Sequence, residues 1–290
     1  MRQSLVLLFA VESGSPLWFN RLRVIFYANY GRNRFLWLCV NGTVVTNYEE
    51  LTKLVKMLKQ RIHQLLLSFG WLNTLIYLLG RLLGRISQNR VRIYKYYLVM
   101  QPVHKKPLLP PGRGKNIKIR LIDKEDEVIH QFPRPYKVIQ DRFKNGAKCL
   151  VAFKDQQFIG FIWLVFDCYQ EDEVRANFIL SPIESTAWDF DIYIKPDFRL
   201  GMTFARLWDE ANNFLLMNKR NWTYSRVSAF NTESLKSHSY IGAKSFGSAL
   251  FFCTTKWQIT IASLYPYFHL SFHNDSIPQF YLKTDALKDL

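Results

Sequence analysis

The chain has 290 residues, of which 49% are apolar and 16% are aromatic, so it can bury a large hydrophobic core. This composition excludes a disordered, collagen-like or low-complexity protein. The four cysteines, Cys39, Cys149, Cys168 and Cys253, lie far apart and form no CxxC pair. Their spacing argues against a zinc ribbon and a dense disulfide framework, and it predicts reduced thiols in a cytoplasmic protein.

The net charge of +16 is distributed unevenly along the chain. Residues 1–120 contain 20 Lys and Arg but only 3 Asp and Glu, whereas residues 121–290 contain 19 and 20. The basic excess therefore belongs to the first 120 residues alone. This change in composition predicts two regions with different roles.

The first residues have some features of a secretion signal. Arg2 precedes an apolar run from Leu5 to Val11, but the run is short and no A-x-A cleavage site follows. We therefore expect the protein not to be secreted. Residues 14–48 contain scattered aromatic side chains without a clear period, so no element is predicted there.

A basic helical hairpin is predicted over about residues 47–87. Asn47 is the candidate N-cap, apolar residues recur at spacings of three and four up to Leu66, and Gly70 separates a second helix. The uncharged stretch between Leu65 and Gly80 has sixteen residues, fewer than the roughly 17 that span a bilayer, and it crosses the break. A transmembrane helix is therefore not predicted.

Two interpretations of this hairpin stay open. Its apolar faces pack on the rest of the protein, or the hairpin lies on an anionic membrane surface. In the second case residues 47–95 form the contact, with these basic side chains near the headgroups: Arg81, Arg85, Arg90, Arg92 and Lys95. Nucleic-acid binding is the least favoured alternative, because the charges form no known reader motif.

A strand is predicted at residues 91–103, followed by a Pro-rich linker with the domain boundary near residue 113. The proposed domains are 1–113 and 114–290. In the second, periodicity predicts helices over residues 135–145, 203–219 and 233–241. It predicts strands at 117–122, 149–153, 158–166, 174–180, 188–194, 223–230, 244–254 and 257–264. The strands at 149–153 and 158–166 form a hairpin with a tight turn at Asp155 and Gln156. This order defines an α+β class with a mixed, mainly antiparallel sheet flanked by helices.

Two motifs in this order carry a resemblance to a known family. In the first, a strand ending at Ile194 is followed by Pro196, Arg199 and Gly201 and by a helix from Thr203. In the second, a strand ends at Asn231, and Gly242 and Ala243 follow at offsets of eleven and twelve. Residues 115–260 thereby resemble the GCN5-related N-acetyltransferase (GNAT) family.

The resemblance implies an enzyme that transfers an acetyl group from acetyl-CoA to an amine by direct attack. It implies a pyrophosphate on the N–H groups at the start of the helix, which suit an anion. The implied contacts with coenzyme A are Ile192, Tyr193, Ile194, Arg199, Leu200, Gly201, Met202, Thr203, Phe204, Asn231 and Ser234. Met202 and Phe204 depart from the small residues of the family, so a shifted loop, weak binding and another acyl carrier are alternatives.

The catalytic candidates are a proton donor and a base. His238 stands where the family often has a Tyr, and its ordinary pKa of about 6.5 suits an acid that protonates the leaving thiolate; Tyr240 is the alternative donor. Glu173 and Asp191 are the candidate bases. His269 and His273 have no further ligand at metal spacing, so no metal is predicted.

The sequence therefore predicts an N-acyltransferase that needs acetyl-CoA or another acyl-CoA and an amine acceptor of unspecified class. The alternative is a non-catalytic protein of the same fold that binds an acyl carrier or a membrane partner. The atypical Met202 and Phe204 favour this alternative. We expect a cytoplasmic protein, with peripheral membrane association if the hairpin contacts lipid.

Overall fold

The computed structural model describes residues 6–11, 22–28, 36–40, 43–45, 48–272 and 276–283. The predicted helix cap Asn47 and the histidine His273 lie outside these ranges. The chain forms two compact units. The first contains residues 1–93 and 253–255, and the second contains residues 94–252 and 256–290.

The first unit begins with a four-stranded antiparallel sheet in a region where the sequence predicted no element beyond an apolar run. Its strands follow the chain in the order β1-β2-β3-β4. They are β1 (Val6–Val11), β2 (Leu22–Ala28), β3 (Leu36–Val40) and β4 (Thr43–Val45). The apolar run that has features of a secretion signal is thus strand β1.

The predicted hairpin corresponds to α1 (Tyr48–Ile86), which is interrupted at Gly70. Gly70 has φ 74° and ψ 168°, a conformation that glycine adopts without a side-chain clash. Asn73 donates a hydrogen bond to the Phe69 carbonyl across the break (3.0 Å). By length and composition alone, Thr52–Ile86 is the one helical segment among the described residues that is long and apolar enough to cross a bilayer.

The second unit contains most of the remaining elements. Its helices are α2 (Tyr136–Lys144), α3 (Thr203–Met217) and α4 (Thr232–Tyr240). The strands are β5 (Arg92–Pro102), β6 (Ile117–Ile122), β7 (Lys148–Lys154), β8 (Gln157–Val165), β9 (Cys168–Gln170), β10 (Asn177–Ser181), β11 (Thr186–Ile194), β12 (Trp222–Ser228), β13 (Lys244–Cys253), β14 (Gln258–Ala262), β15 (Phe268–Ser271) and β16 (Gln279–Lys283). Three short 3-10 helices cover Glu127–Gln131, Ile183–Ser185 and Pro196–Phe198.

Nine of these strands form one sheet in the order β15-β14-β13-β5-β12-β11-β8-β7-β6. Strand β11 runs parallel to β12, whereas its other neighbour, β8, is antiparallel to it. Strands β16, β10 and β9 form a separate small sheet. The predicted α+β class with a mixed, mainly antiparallel sheet is confirmed.

Strand β5 is part of the large sheet. It pairs antiparallel with β12 from Pro102 opposite Trp222 to Tyr96 opposite Ser228. The two compact units divide at residues 93 and 94, so most of the strand predicted at residues 91–103 lies in the second unit.

The Pro-rich linker is tied to α3 by two buried side chains of that helix. Asp209 accepts a hydrogen bond from the Leu108 N–H (2.6 Å), and Asn212 accepts one from the His104 N–H (3.3 Å). Because these bonds fix the backbone, residues 103–116 are an integral part of the second unit, although they form no helix or strand.

The elements predicted for the second unit are present, although their bounds differ by a few residues and strand β9 was not predicted. The tight turn at Asp155 and Gln156 is present, with φ of 49° and 65° at the two residues. The predicted strand at 174–180 begins later, as β10 at Asn177, and β14 is not the last strand, because β15 and β16 follow. In the core, α3 covers the sheet with Leu207, Trp208, Ala211 and Leu215, all fully buried.

Candidate active site

A cleft opens where β11 and β12 stop pairing. The two parallel strands are in register over only three residue pairs, from Thr186 opposite Trp222 to Trp188 opposite Tyr224. Both strands continue beyond that point, β11 for six residues and β12 for four. Their backbones therefore separate, and this separation leaves main-chain polar groups available to a ligand.

An irregularity in β11 accompanies the separation. Its register with β8 shifts between Phe190 and Tyr193, and Asp191 has a φ of 45°. Gly160 on β8 faces this shift, and a Cβ atom there would lie 2.5 Å from the Tyr193 carbonyl oxygen. Only glycine permits so close an approach of the two backbones, so Gly160 allows β11 to bend.

The cleft has a volume of about 490 Å³, which is within the range of small-molecule sites. Its lining comes from the separated parts of β11 and β12, the start of α4, the region of α2, and residues 169–173. Asp189, Asp191 and His238 are among the lining residues, so acid or base groups of β11 and α4, about fifty residues apart in the sequence, meet here.

Asp189 and His238 form a buried pair in this cleft. The Asp189 residue is 1% exposed, and neither of its carboxylate oxygens has a hydrogen-bond partner among the described residues. The His238 Nε2 atom lies 3.8 Å from Asp189 Oδ2, an ion-pair distance that is too long for a hydrogen bond. A buried carboxylate without a partner is energetically unfavourable unless a cation or a ligand compensates it.

The protonation of His238 follows from its neighbours. Its Nδ1 atom lies 2.8 Å from the Ser234 carbonyl oxygen, which can only accept, so Nδ1 carries a proton. Burial lowers the pKa of His238, but the Asp189 carboxylate and the Ser234 carbonyl outweigh this effect and raise the pKa above its ordinary value. The imidazole therefore favours the charged form more than a free histidine does.

The two predicted bases are placed in ion pairs. Asp191 binds both Arg134 and Arg142, with Arg142 Nη1 at 2.5 Å from its carboxylate. Glu173 accepts a hydrogen bond from the Tyr96 hydroxyl (2.8 Å) and lies 2.9 Å from Arg226. Both side chains line the cleft, but their charges are already compensated, which makes them less available as bases than Asp189.

Tyr240, the alternative donor, is 74% exposed and is not among the residues that line the cleft. Asn231 and Ser234 do line it, at the start of α4. The Asn231 side chain caps that helix by accepting a hydrogen bond from the Ser234 N–H (3.0 Å). The second motif thus fixes the start of α4. Through this helix it also fixes the position of His238, one turn after Ser234.

The first motif places an uncapped helix end after β11. No side chain caps α3, and its first hydrogen bond runs from the Arg206 N–H to the Met202 carbonyl (2.9 Å). The N–H groups of residues 203–205 precede this bond and are suited to an anion. In the same loop Arg199 donates a hydrogen bond to the Ile194 carbonyl (3.0 Å), and Leu200 is fully exposed.

The atypical side chains of this loop point towards the core. Met202 and Phe204 pack against the buried cluster that α3 forms on the sheet. The Phe204 ring also lies 6.4 Å from the His238 ring, in an edge-to-face arrangement. The Phe204 side chain therefore takes part in core packing and in the surroundings of His238.

The described residues contain no group of three or more His, Cys, Asp or Glu side chains arranged to hold a metal ion. Cys149 is fully buried, and burial raises the pKa of its thiol well above the ordinary value. A thiol with a raised pKa is a poor nucleophile at neutral pH. Cys149 is therefore not part of the candidate chemistry.

No protein-family model matches this chain, and no curated protein matches it. Several solved structures are similar at low sequence identity. One, a functionally unknown conserved protein from Staphylococcus epidermidis, is 14% identical with a TM-score of 0.41, over 60% of this chain and 66% of that chain, just under two thirds of its length.

Two further structures are acetyltransferases or GNAT proteins by name. An aminoglycoside acetyltransferase from an uncultured soil metagenomic sample is 10% identical with a TM-score of 0.32, over 44% of this chain and 88% of that chain. A tandem GNAT protein from the clavulanic acid biosynthesis pathway is 8% identical with a TM-score of 0.36, over 83% and 80%. All three TM-scores are below 0.5.

Sequence reasoning put forward Asp191 as a candidate base and did not single out Asp189. The local pattern treats the two residues alike, because both are aspartates two positions apart in a strand. Their difference comes from Arg134 and Arg142, which lie 57 and 49 residues from Asp191 in the sequence. Only the fold shows which carboxylate is left without an arginine.

Proposed function

We propose that the protein is an N-acyltransferase that moves an acetyl group from acetyl-CoA to an amine by direct attack. The observation that carries this proposal is the buried Asp189 carboxylate, without a hydrogen-bond partner, beside His238 in the cleft between β11 and β12. This pair supplies a base and an acid at one place, as transfer to an amine requires. The resemblance of residues 115–260 to the GNAT family supports the same conclusion.

The chain offers a fitting site for the acyl carrier. The unpaired N–H groups of residues 203–205 at the start of α3 would hold the pyrophosphate of coenzyme A. The backbone of residues 192–194, beyond the last pair with β12, would bind the pantetheine arm as an added strand does. Acetyl-CoA would supply the thioester, whose carbonyl carbon the amine attacks.

The proton balance assigns a role to each member of the pair. The amine nitrogen forms a bond to the thioester carbonyl carbon while the carbon–sulfur bond breaks. One proton passes from the nitrogen to the Asp189 carboxylate, and the leaving thiolate takes a proton from the His238 imidazolium. A proton then returns from Asp189 to His238 over the 3.8 Å that separates them, which restores both groups.

The first test is a thermal melt of the full chain with acetyl-CoA, with free coenzyme A and ATP as controls. A ligand that binds only the folded protein raises the melting temperature, by an amount equivalent to about 2.7 kcal/mol at one hundred times its Kd. We expect a clear increase with acetyl-CoA and free coenzyme A and none with ATP. A panel of amines, assayed by release of free thiol, then tests transfer.

An unchanged melting temperature with acetyl-CoA would contradict the acetyl-CoA site. Binding without thiol release for any amine would instead favour the non-catalytic alternative, in which the fold recognises an acyl carrier. The substitution Asp189→Asn distinguishes catalysis from binding of the acyl carrier. It retains the shape of the side chain and removes the base, so it should slow transfer by about 10² to 10⁴ while acetyl-CoA binding persists.

A further inference from the structure

Residues 71–86 of α1, called here the C-terminal arm, expose apolar side chains and bury polar ones. The Trp71 side chain is 72% exposed, and it is followed at spacings of three and four residues by further exposed apolar residues. This apolar face consists of Trp71, Leu72, Leu75, Leu78, Leu79 and Ile86. By contrast, Thr74 and Asn73 are only 3% and 8% exposed.

The inner face of the arm includes two glycines and the two buried polar residues, while the remaining apolar side chains, Ile76, Tyr77, Leu82 and Leu83, are half-buried. A Cβ atom on Gly80 would lie 3.3 Å from the Ile93 Cβ, so the chain after the helix passes close to the arm at this point. A Cβ atom on Gly84 would be in ordinary contact with Asn89 Oδ1 (3.5 Å) and the Val91 carbonyl oxygen (3.6 Å). Small residues let the following strand approach closely and leave the large apolar side chains on the outside.

This arrangement is the reverse of a helix in water, where apolar side chains are buried and polar ones are exposed. Large contiguous apolar surfaces on a soluble protein mark a binding site for a partner or a membrane. The charge around the arm distinguishes between these partners. Residues 51–93 contain eight Lys and Arg and no Asp or Glu.

The basic residues lie where they can contact lipid headgroups. Arg81 and Arg85 occur at helical spacing along the edge of the apolar face, and Arg90 is exposed in the turn that follows the arm. Long arginine side chains can keep their stems on apolar surface while the guanidinium reaches a phosphate. Each such residue near an anionic surface contributes on the order of 1 kcal/mol of attraction.

The length of the arm favours a position in the interface. Its 16 residues give a helix of about 24 Å, which is shorter than the roughly 30 Å of a bilayer core. The non-helical Gly70 also prevents α1 from crossing as one straight helix. We therefore propose that the C-terminal arm lies in the plane of an anionic lipid bilayer, with its apolar face in the acyl chains.

The test is flotation of the full-length protein with phosphatidylcholine vesicles that contain either no or about one third phosphatidylglycerol, at low and at physiological salt. We expect binding to the anionic vesicles and at least a tenfold weaker affinity for Leu75→Glu/Leu79→Glu. The matched control is Leu121→Glu, which changes an exposed leucine of the second unit. Circular dichroism melts confirm that each variant is folded.

The charge contribution is tested with Arg81→Gln/Arg85→Gln/Arg90→Gln against Lys124→Gln/Lys144→Gln/Lys148→Gln, three exposed lysines of the second unit. Only the three arginine substitutions should lower the affinity for anionic vesicles and make that affinity less dependent on salt. Brominated acyl chains should quench less fluorescence from Trp71→Phe than from the wild-type protein. Absence of binding at low salt would overturn the proposal, as would a dimer that Leu75→Glu/Leu79→Glu dissociates.

Discussion

His238 Nε2 lies 3.8 Å from the Asp189 carboxylate, while its Nδ1 atom is held by the Ser234 carbonyl at 2.8 Å. The contact between Nδ1 and the Ser234 carbonyl fixes the imidazole ring, so Nε2 must face the Asp189 carboxylate. The rings of Phe204 and Trp208 border the same imidazole at centroid distances of 6.4 and 6.5 Å. A charged pair is therefore enclosed by aromatic side chains at the base of the cleft.

The first prediction concerns turnover. Asp189→Asn and His238→Ala should each lower kcat by about 10² to 10⁴, the usual contribution of a general base or acid, with little change in acetyl-CoA affinity. Tyr240→Phe, outside the cleft, should retain full activity. Steady-state kinetics and a melting curve for each variant would check this. An unchanged kcat for His238→Ala would remove it from the mechanism.

The second prediction concerns pH and stability. Because the pKa of His238 is raised in the folded state, its stabilising contribution is fully present below the unfolded pKa of about 6.5. The contribution is lost as the pH rises through the folded value. Urea unfolding of the wild type and His238→Gln between pH 5.5 and 8.5 should therefore show a stability difference that decreases with pH. A difference that grows with pH would contradict the proposed ion pair.

The third prediction tests the helix end that would bind pyrophosphate. Ala205→Pro removes one N–H that precedes the helical hydrogen bonds, and proline is tolerated in the first turn of a helix. The affinity for acetyl-CoA, measured by calorimetry, should fall by about tenfold, the effect of one lost hydrogen bond to a charged group. Ala205→Ser retains the N–H and serves as the control; equal losses in both variants would point to the side chain instead.

The fourth prediction concerns the bend of β11. Gly160→Ala would place a Cβ atom 2.5 Å from the Tyr193 carbonyl oxygen, and both atoms belong to a strand pair that cannot separate easily. We expect a loss of about 1 to 3 kcal/mol in the free energy of unfolding. Gly201→Ala is the matched control, since its nearest atom would be at 3.5 Å. Equal free energies of unfolding for the two variants would show that β11 can shift away from the added methyl group without a cost in stability.

The fifth prediction compares the two arginines on Asp191. The Arg142 side chain is 10% exposed and that of Arg134 is 35% exposed, whereas Asp191 is 11% exposed. Breaking a buried ion pair by removing one partner destabilises a protein by about 3 to 5 kcal/mol, and an exposed pair contributes about 1 kcal/mol or less. Chemical unfolding should therefore give a much lower free energy of unfolding for Arg142→Met than for Arg134→Met. The reverse order would show that Arg134 contributes more to stability than Arg142.

Features that depend on neighbouring residues could be predicted from the sequence. The helix break at Gly70, the turn at residues 155–156 and the helix that begins at Thr203 all coincide with local patterns. Periodicity and turn residues act over a few positions, so one sequence is enough to read them. The α+β class followed from the order of these elements.

Features that depend on distant residues could not be predicted. Strand β5 occupies its place in the large sheet because it pairs with β12, more than a hundred residues later. The sequence around residues 91–103 shows only that a strand forms there. The partner of that strand in the sheet is not contained in the local pattern.

The candidate site shows the same division. The sequence by itself determined that acid, base and helix-end groups occur in the order β11, α3, β12 and α4, with His238 seven residues, about two turns, after Asn231. Only the tertiary structure decided that arginines of the α2 region neutralise Asp191 and leave Asp189 to His238. The availability of a buried charge depends on every group that surrounds it, and those groups are brought together by folding and not by proximity in the chain.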